Sequence, residues 1–474
     1  MSSGVSFSDL SVWPVILLMG IILGGLLIGN ALKRGIPFLR KSLIPVSVIG
    51  GGVLLLISTI FKVATGKYLF NFFLFGNGTD LTGIEIMEIM TYHCLAIGFI
   101  AMTLRKTAQQ DKGKGRVKDV INSGMLTVNT YLLQGIVGLA VTFTASIFIP
   151  KILKAAGMIL AFGFGQGTGQ ALNYGSIYET NFGFEGGKSF GLTIAALGFL
   201  AASLGGIIYL AYHKKKGDIV IRDEDKNKSE KVEEEGEIPM VESMDKLTVQ
   251  IALVIISYAL AYGIMFVVGN LVGDGLKSTI FGFNFLIGTL AALIVKTFFN
   301  LMKKAKIMHR EYINNFLLSR IAGFAFDIMI VAGIGAIQID LIKDYLVVLL
   351  IMAVLGVLFT FLYVKFVSKT LFGAYCHEEF LVMFGMLTGT ASTGVILLRE
   401  IDPMFETPAS DNVVYQTFPA ILLGFPMMLL AAFCPKSDTS TIITFAILAG
   451  YFVILNIILF RSKIFGKKSK KDKA

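Results

Sequence analysis

Charged residues are scarce in this chain of 474 residues. Only 16% of the residues are Asp, Glu, Lys or Arg, and 55% are hydrophobic, whereas soluble domains average about 25% charged residues. This scarcity excludes an ordinary soluble domain and indicates a multi-pass membrane protein. The net charge of +10 does not indicate nucleic-acid binding, because the basic residues lie in short loops and a tail beside apolar runs.

Cysteine, histidine and paired acids are rare as well. Three scattered cysteines are too few for a disulfide framework or a metal site, and the four histidines show no ligand spacing. The apolar runs contain neither the two paired carboxylates of aspartyl chemistry nor the clustered His or Glu of metal catalysis. We therefore expect no enzymatic activity and no cofactor. The N-terminus lacks a basic segment, so we also expect no cleaved signal peptide.

Long apolar runs dominate the rest of the chain. A transmembrane helix needs about 20 consecutive apolar residues, and eleven runs are long enough. They cover residues 12–32, 43–61, 86–104, 120–149, 188–212, 247–269, 278–301, 316–337, 344–367, 412–434 and 440–460. The sequence therefore predicts an all-α polytopic membrane protein with about 11 transmembrane helices.

Two further apolar stretches are interrupted by glycine. Residues 152–179, after the fourth run, contain FGFGQGTGQ, and residues 378–400, after the ninth, contain GMLTGTASTG. Glycine costs about 1 kcal/mol relative to alanine inside a helix, so the alternating glycines of the first stretch should open the backbone. Glycines that only allow tight helix packing recur at every fourth position instead. We predict two re-entrant hairpins, which in transporters line the binding site.

The basic clusters predict the orientation in the membrane. Clusters of Lys and Arg favour the cytoplasmic side. They lie at 33–41, 105–118, 214–216, 303–310 and 461–473, and they fall on one side only if each hairpin returns to the side from which it entered. The N-terminus is then outside and the C-terminus is cytoplasmic.

The spans and hairpins divide the chain into two similar halves. Residues 1–212 form a first repeat of five helices with the hairpin 152–179, and residues 247–434 form a second repeat with the hairpin 378–400. The charged segment 213–246 is predicted to be a cytoplasmic linker, and 435–474 an extra transmembrane helix with a basic tail. Because each repeat crosses the membrane five times, the two repeats have inverted topology.

The polar residues of the hairpin tips are candidates for binding. Carbonyl and hydroxyl oxygens can replace the hydration shell of a small cation, and the N-termini of half-helices favour an anionic group. The candidates for substrate binding are Gln166, Gly167, Thr168, Gly169, Gln170, Asn173, Thr390, Ser392, Thr393, Asp327 and Arg399. The candidates for sodium binding are Thr168, Asn129, Thr388, Ser392 and Asp327.

Two charged candidates have alternative interpretations. Asp327 lies in the middle of a span, where a carboxylate costs about 2.5–3.5 kcal/mol, so we expect it to face the interior of the bundle. There it pairs with an ammonium group, binds sodium or carries a proton, unless it is a hydrogen-bonded structural acid. Arg399 can anchor a carboxylate through two parallel hydrogen bonds. An ion pair with Glu400, or a place near the cytoplasmic surface, explains Arg399 equally well.

Four other polar residues also keep two interpretations. His93, inside the third span, is a hydrogen-bonded structural residue or a proton relay. Asn122 and Asn129, seven residues apart on the fourth span, contribute to an ion site or join helices. Glu179, at the end of the first hairpin, is a substrate contact or a structural acid.

The hairpins FGFGQGTGQALNYGSIYE and GMLTGTASTGVILLRE, each within a repeat of four spans, a hairpin and one span, resemble those of the bacterial sodium/glutamate symporters. The resemblance covers about residues 10–440. It implies sodium-coupled uptake of glutamate, or of another small carboxylate, across the bacterial plasma (inner) membrane. The family's relation to the sodium/citrate carriers implies a homodimer that works by an elevator mechanism, with substrate and sodium held at residues 166–170 and 388–393.

Other classes of transport protein remain as alternatives. A cation/proton antiporter would use Asp327 as its titrating group, although antiporters usually concentrate several acids in the membrane. A sodium-coupled carrier for another organic anion would keep the same architecture. A channel is disfavoured, because selectivity filters are usually built from symmetric copies rather than from two unlike hairpins.

Overall fold

Helices make up all the regular structure that we observe. The computed structural model describes residues 12–75, 81–105, 114–219, 244–273, 277, 280–403 and 406–464, and it contains no strand in these ranges. We name the main helices α1 to α14. They are α1 (Pro14–Gly35), α2 (Val46–Thr65), α3 (Gly83–Leu104), α4 (Lys114–Phe148), α5 (Ile159–Phe182), α6 (Gly187–Lys216), α7 (Lys246–Val272), α8 (Asn284–Lys304), α9 (Asn315–Gly335), α10 (Leu346–Leu371), α11 (Cys376–Thr388), α12 (Ala391–Arg399), α13 (Thr417–Phe433) and α14 (Asp438–Leu459).

Short helical turns connect some of these helices. They cover Pro37–Lys41, Leu69–Asn71, Phe73–Phe75, Lys154–Met158, Ile339–Ile342, Lys343–Tyr345, Gly373–Tyr375, Ala409–Tyr415, Cys434–Lys436 and Arg461–Ile464.

Eleven helices in the described part of the chain are long and apolar enough to cross a membrane. Each corresponds to one of the predicted runs, so the prediction of an all-α polytopic membrane protein is confirmed at this level. The inverted repeats and the side on which each terminus lies stay predictions. Most of the predicted linker (220–243) and most of the basic tail (465–474) lie outside the described residues. The fifth span continues to Lys216, so the first residues assigned to the linker are helical.

Polar side chains begin several of these helices. The Thr82 side chain accepts a hydrogen bond from the backbone N–H of Glu85, whose carboxylate accepts one from the Thr82 N–H in return. Asp245 caps α7 by accepting a hydrogen bond from the N–H of Leu247, 2.8 Å from its Oδ1 atom. Asn314 caps α9 through the N–H of Leu317 at 2.7 Å. These caps satisfy N–H groups that have no partner within the helix, and each contributes about 1 kcal/mol.

The first of two compact units combines segments from distant parts of the chain. It contains Met1–Gln110, Gly167–Phe199 and Glu224–Asp344. In this unit α9 packs against α2 and α3, and α8 packs against α3 and α7. An apolar core joins Ile100 and Leu104 of α3 to residues of α7, α8 and α9. This packing buries almost all of the second half of α9.

The second unit contains Asp111–Gln166, Leu200–Asp223 and Tyr345–Ala474. Helix α4 is its centre, because α10, α13, α14 and the turn Lys154–Met158 all pack against it. The turn approaches very closely: a Cβ atom at Gly157 would lie 2.2 Å from the backbone of Gly138. A side chain at either glycine would therefore push the turn away from α4.

Candidate functional site: two interrupted helices

The first predicted hairpin contains a break in α5 at Gly167. This residue has φ 78° and ψ −167°, in a region that only glycine adopts readily, and helix continues on both sides of it. The predicted interruption is therefore confirmed. The break leaves the last carbonyl groups of the first half and the first N–H groups of the second half outside a continuous helical ladder.

The second predicted hairpin is interrupted at Gly389. Helix α11 ends at Thr388, Gly389 has non-helical dihedral angles, and α12 begins at Ala391. The Thr390 side chain caps α12, since its Oγ1 atom accepts a hydrogen bond from the N–H of Thr393 at 3.4 Å. Both glycine-rich stretches are thus pairs of short helices that are separated at a glycine.

Helix α4 caps the carboxyl ends of the half-helices that precede the two breaks. The Tyr131 hydroxyl donates to the carbonyl of Gly165 at 3.0 Å, and the Gln134 Nε2 atom donates to the carbonyl of Leu387 at 2.8 Å. Each carbonyl lies two residues before its interrupting glycine. Tyr131 and Gln134 are three residues apart, which places them on one face of α4. One helix of the second unit therefore supports both breaks.

The capping requires a glycine beneath Tyr131. A Cβ atom at Gly165 would lie 2.1 Å from Cε1 of the Tyr131 ring. Any side chain there would displace the ring and its hydroxyl. The alternating glycines of the first hairpin thus serve both the break itself and the close approach of α4.

Unpaired polar atoms lie on the same stretch of α4. Asn129 is fully buried, and neither of its side-chain polar atoms has a hydrogen-bond partner among the described residues, although the Tyr363 hydroxyl lies nearby. The Oε1 atom of Gln134 is also buried and unpaired within the described ranges. A buried polar group without a partner costs about 1–3 kcal/mol, so these atoms are suited to a bound ion or substrate. Asn129 was predicted as a sodium ligand.

The second half of α5 packs within the first unit. Thr168 is fully buried, and its Oγ1 atom lies 3.4 Å from the carbonyl of Met329 on α9. A Cβ atom at Gly169 would lie 2.8 Å from Leu95 of α3. Both predicted residues therefore contact neighbouring helices directly.

Gln170 and Asn173 lie on the same half of α5. The Asn173 Nδ2 atom donates to the carbonyl of Gly282, which precedes α8. The Gln170 Oε1 atom accepts a long hydrogen bond from Asn173 at 3.5 Å. The Gln170 Nε2 atom is buried and has no partner in the described part of the chain. Among the predicted residues of the first hairpin, Gln170 is thus the one with an unused buried donor, whereas Gln166 is only half-buried.

The hydroxyl residues of the second hairpin differ in exposure. Thr388 is fully buried, and its hydroxyl donates to the carbonyl of Phe384 in its own helix at 2.7 Å. Thr393 is buried, Thr390 is half-buried and Ser392 is exposed. The hydroxyl groups of Thr390 and Thr393 are 3.3 Å apart. The structure therefore brings these two hydroxyl groups together at the start of α12.

The expectation that Asp327 faces the interior of its bundle is wrong. Its side chain is exposed, next to the exposed Phe324 on α9. Its carboxylate lies near the hydroxyl of Ser47 on the neighbouring α2. Asp327 therefore lies at the surface of its helix bundle, beside α2, rather than in the interior.

Arg399 does not lie at the interruption. It is the last residue of α12, eight residues after Ala391, which corresponds to about 12 Å along the helix. Both Arg399 and Glu400 are exposed. The structure thus places Arg399 and the Thr390–Thr393 hydroxyl pair at opposite ends of α12.

Glu179 belongs to a charged pocket of the first unit. Its carboxylate accepts a hydrogen bond from the N–H of Lys188 at 3.1 Å, and the Lys188 ammonium pairs with Glu88 at 2.8 Å. The pocket has a volume of about 190 Å³, and Ser189 and Gln338 also line it. These contacts favour a structural role for Glu179, which helps to begin α6.

His93 and Asn122 can also be placed. The His93 Nδ1 atom is 2.7 Å from the hydroxyl of Tyr258 on α7, which agrees with the hydrogen-bonded structural interpretation. Asn122 and Asn129 are both buried on α4, as expected for residues on one face of that helix.

Glu379 was missed by the interpretation of the sequence. It lies in the first turn of α11, is fully buried, and accepts hydrogen bonds from Ser123 at 2.6 Å and from Asn412 at 3.0 Å. Helix α11 is not one of the eleven spanning helices. Burial raises the pKa of the Glu379 carboxyl to about 7, although Ser123 and Asn412 oppose this effect. The signal in the sequence was an acid at the start of an interrupted apolar segment.

The sequence matches no model of a protein family, and it matches no curated protein.

Proposed function

We propose that this protein is a secondary active transporter that couples the entry of sodium to the uptake of glutamate or a similar small carboxylate. The observation that carries the proposal is the pair of helices interrupted at Gly167 and Gly389 within a chain of eleven candidate spans. Interrupted helices at corresponding places in two halves are the strongest indication of a transporter's binding site. Inverted repeats, a homodimer and an elevator mechanism are part of this proposal.

The polar groups near the two breaks suit both a carboxylate substrate and a sodium ion. The second half of α5 and helix α12 each begin at a break, and the N-terminus of a helix favours a carboxylate. In the second unit, the buried oxygen of Asn129 and the hydroxyl group of Thr388 are neutral oxygen donors of the kind that replace water around sodium. Thr168, in the first unit, has a buried hydroxyl group of the same kind.

Uptake by reconstituted protein tests this function. Purified protein in liposomes is given labelled glutamate with an inward sodium gradient, and then with potassium in place of sodium. We expect accumulation that requires sodium and that unlabelled glutamate suppresses. Equal uptake under both conditions would contradict sodium coupling. The absence of uptake by folded protein would contradict glutamate as the substrate, and other small carboxylates would then be compared as competitors.

The variant Asn129→Leu tests the proposed sodium ligand. It removes two unpaired buried atoms, so we expect a folded protein whose uptake needs a much higher sodium concentration. Thr130→Val is the matched control, because the adjacent Thr130 hydroxyl is buried and bonds only to the carbonyl of Leu126 in its own helix at 2.8 Å. A higher sodium requirement in both variants, or in neither, would contradict the role of Asn129.

Cation/proton exchange is a second candidate function, because one acidic residue lies exposed within a candidate span. Asp327 lies in the candidate span α9 and its side chain is exposed. This function predicts sodium-driven proton movement in liposomes without an organic substrate, and its loss in Asp327→Asn. A pH-sensitive dye inside the liposomes measures that movement.

A further inference from the structure

Two histidines that are 164 residues apart in the sequence meet in the second unit. His213 lies near the end of α6, Asp218 follows that helix, and His377 is the second residue of α11. One ring nitrogen of each histidine and one carboxylate oxygen of Asp218 lie within 4.8 Å of one another. The two imidazole rings are 4.8 Å apart between their centres. This cluster has no part in the proposed transport site.

His213 and Asp218 already lie in contact. The Nδ1 atom of His213 is 2.8 Å from the Asp218 carboxylate, so a metal ion that takes the place of this hydrogen bond binds both residues. His213 is only 6% exposed, which holds its ring in one orientation.

His377 is oriented by a separate partner. The Tyr209 hydroxyl lies 2.8 Å from its Nδ1 atom. This contact leaves the Nε2 atom of the His377 ring for a metal ion. Histidines that bind metals usually have such a hydrogen-bond partner on the other ring nitrogen.

We propose that His213, Asp218 and His377 form a binding site for a divalent transition-metal ion of the type of Zn²⁺. Imidazole nitrogens favour zinc, copper or nickel, whereas magnesium and calcium favour oxygen ligands throughout. The side chain of Asp218 is 30% exposed, so water has access to the fourth position.

Binding requires a small local adjustment. Ligand atoms of tetrahedral zinc lie about 3.3 Å apart, so the cluster contracts by about 1–2 Å. Asp218 is outside the helix and can make this movement. The Lys216 ammonium is 3.2 Å from the other carboxylate oxygen of Asp218, and it leaves when the metal ion arrives. The bound ion then joins the end of α6 to the start of α11, the first half of the second interrupted helix.

Direct metal binding tests this site independently of transport. Full-length protein without a histidine tag is titrated with Zn²⁺ against a chelating dye. We expect one ion per chain, and a decrease in affinity of at least about 100-fold in His213→Gln and His377→Gln. Asp218→Asn should weaken binding by about 10- to 100-fold. His309→Gln is the matched control, because this exposed histidine is outside the cluster.

Two further measurements separate metal binding from folding. Zn²⁺ should raise the unfolding temperature of the wild-type protein but not that of the folded His213→Gln variant. Co²⁺ in place of Zn²⁺ should give the visible absorption of a tetrahedral site in the wild-type protein. Wild-type protein that binds no Zn²⁺, or that loses binding equally in His309→Gln, would overturn the proposal.

Discussion

In this protein, the hydrogen bonds of a buried polar residue indicate whether it supports the structure or is available to a ligand. Gln134 donates to Leu387 and Thr360, so its amide supports the structure around the second break. Gln170 has a buried donor that no described residue uses. Each glutamine keeps one buried side-chain atom without a partner among the described residues, but only Gln134 donates its amide to the helix before a break.

The variant Gln170→Leu should therefore separate stability from transport. Removing an unpaired buried donor should leave the free energy of unfolding unchanged or raise it by about 1 kcal/mol, while uptake is lost. Gln134→Leu is the comparison and should lower stability by about 1–3 kcal/mol, because it leaves the Leu387 carbonyl without its donor. Thermal unfolding in detergent and uptake in liposomes measure the two effects. Strong destabilisation by Gln170→Leu would show that Gln170 has a structural role.

Glu379 should make stability depend on pH. Its raised pKa of about 7 means that the folded protein binds this proton more tightly than the unfolded chain does. The stabilisation is complete below the ordinary carboxyl pKa of about 4.5 and is lost as the pH rises through about 7. The full effect is about 3 kcal/mol.

Unfolding temperatures between about pH 5 and about pH 8 measure this effect. The wild-type protein should lose more stability over this range than Glu379→Gln, which carries no titrating group at that position. Glu400→Gln, at an exposed position, is the control. Identical pH profiles for the wild-type protein and Glu379→Gln would contradict the assignment.

At the scale of single elements, the same helix, α4, contacts both interrupted helices next to their breaks. The carbonyl groups before both breaks are capped from one face of α4, through Tyr131 and Gln134. The break itself is local, since Gly167 has dihedral angles that other residues avoid. Backbone chemistry therefore explains where α5 is interrupted, and packing on α4 explains how the free carbonyl group is satisfied.

Gly167→Ala should impair both folding and transport. A Cβ atom at these dihedral angles costs about 1–3 kcal/mol, so the unfolding temperature should fall and the half-helix should shift. Gly24→Ala is the control, because Gly24 lies inside α1 with nothing within 4 Å of an added Cβ atom. That variant should be neutral or up to about 1 kcal/mol more stable. Normal uptake by Gly167→Ala would show that the break is not needed for function.

At the scale of the whole molecule, sodium coupling makes uptake depend on voltage. A potential of about −100 mV opposes the entry of a monovalent anion by about 2.3 kcal/mol and favours each sodium ion by the same amount. Coupling to two or more sodium ions therefore carries net positive charge inward, and a potential of this size should raise accumulation by about 50-fold for one net charge.

An imposed potassium diffusion potential measures this dependence in liposomes. Uptake should increase when the interior is made negative and decrease when the potential is reversed. Empty liposomes and liposomes that contain Gln170→Leu are the controls. Sodium-dependent uptake that ignores the potential would indicate that one sodium ion enters with each monovalent anion.

Some features of this protein follow from the local sequence, and others follow only from contacts in the tertiary structure. Hydropathy alone predicts the eleven spans, and the backbone cost of glycine predicts the breaks near Gly167 and Gly389, because both effects act within a short segment. The cap from Tyr131, the burial of Glu379 and the cluster of His213 with His377 depend on contacts between residues far apart in the chain. Only the tertiary structure decides which faces of the helices pack together.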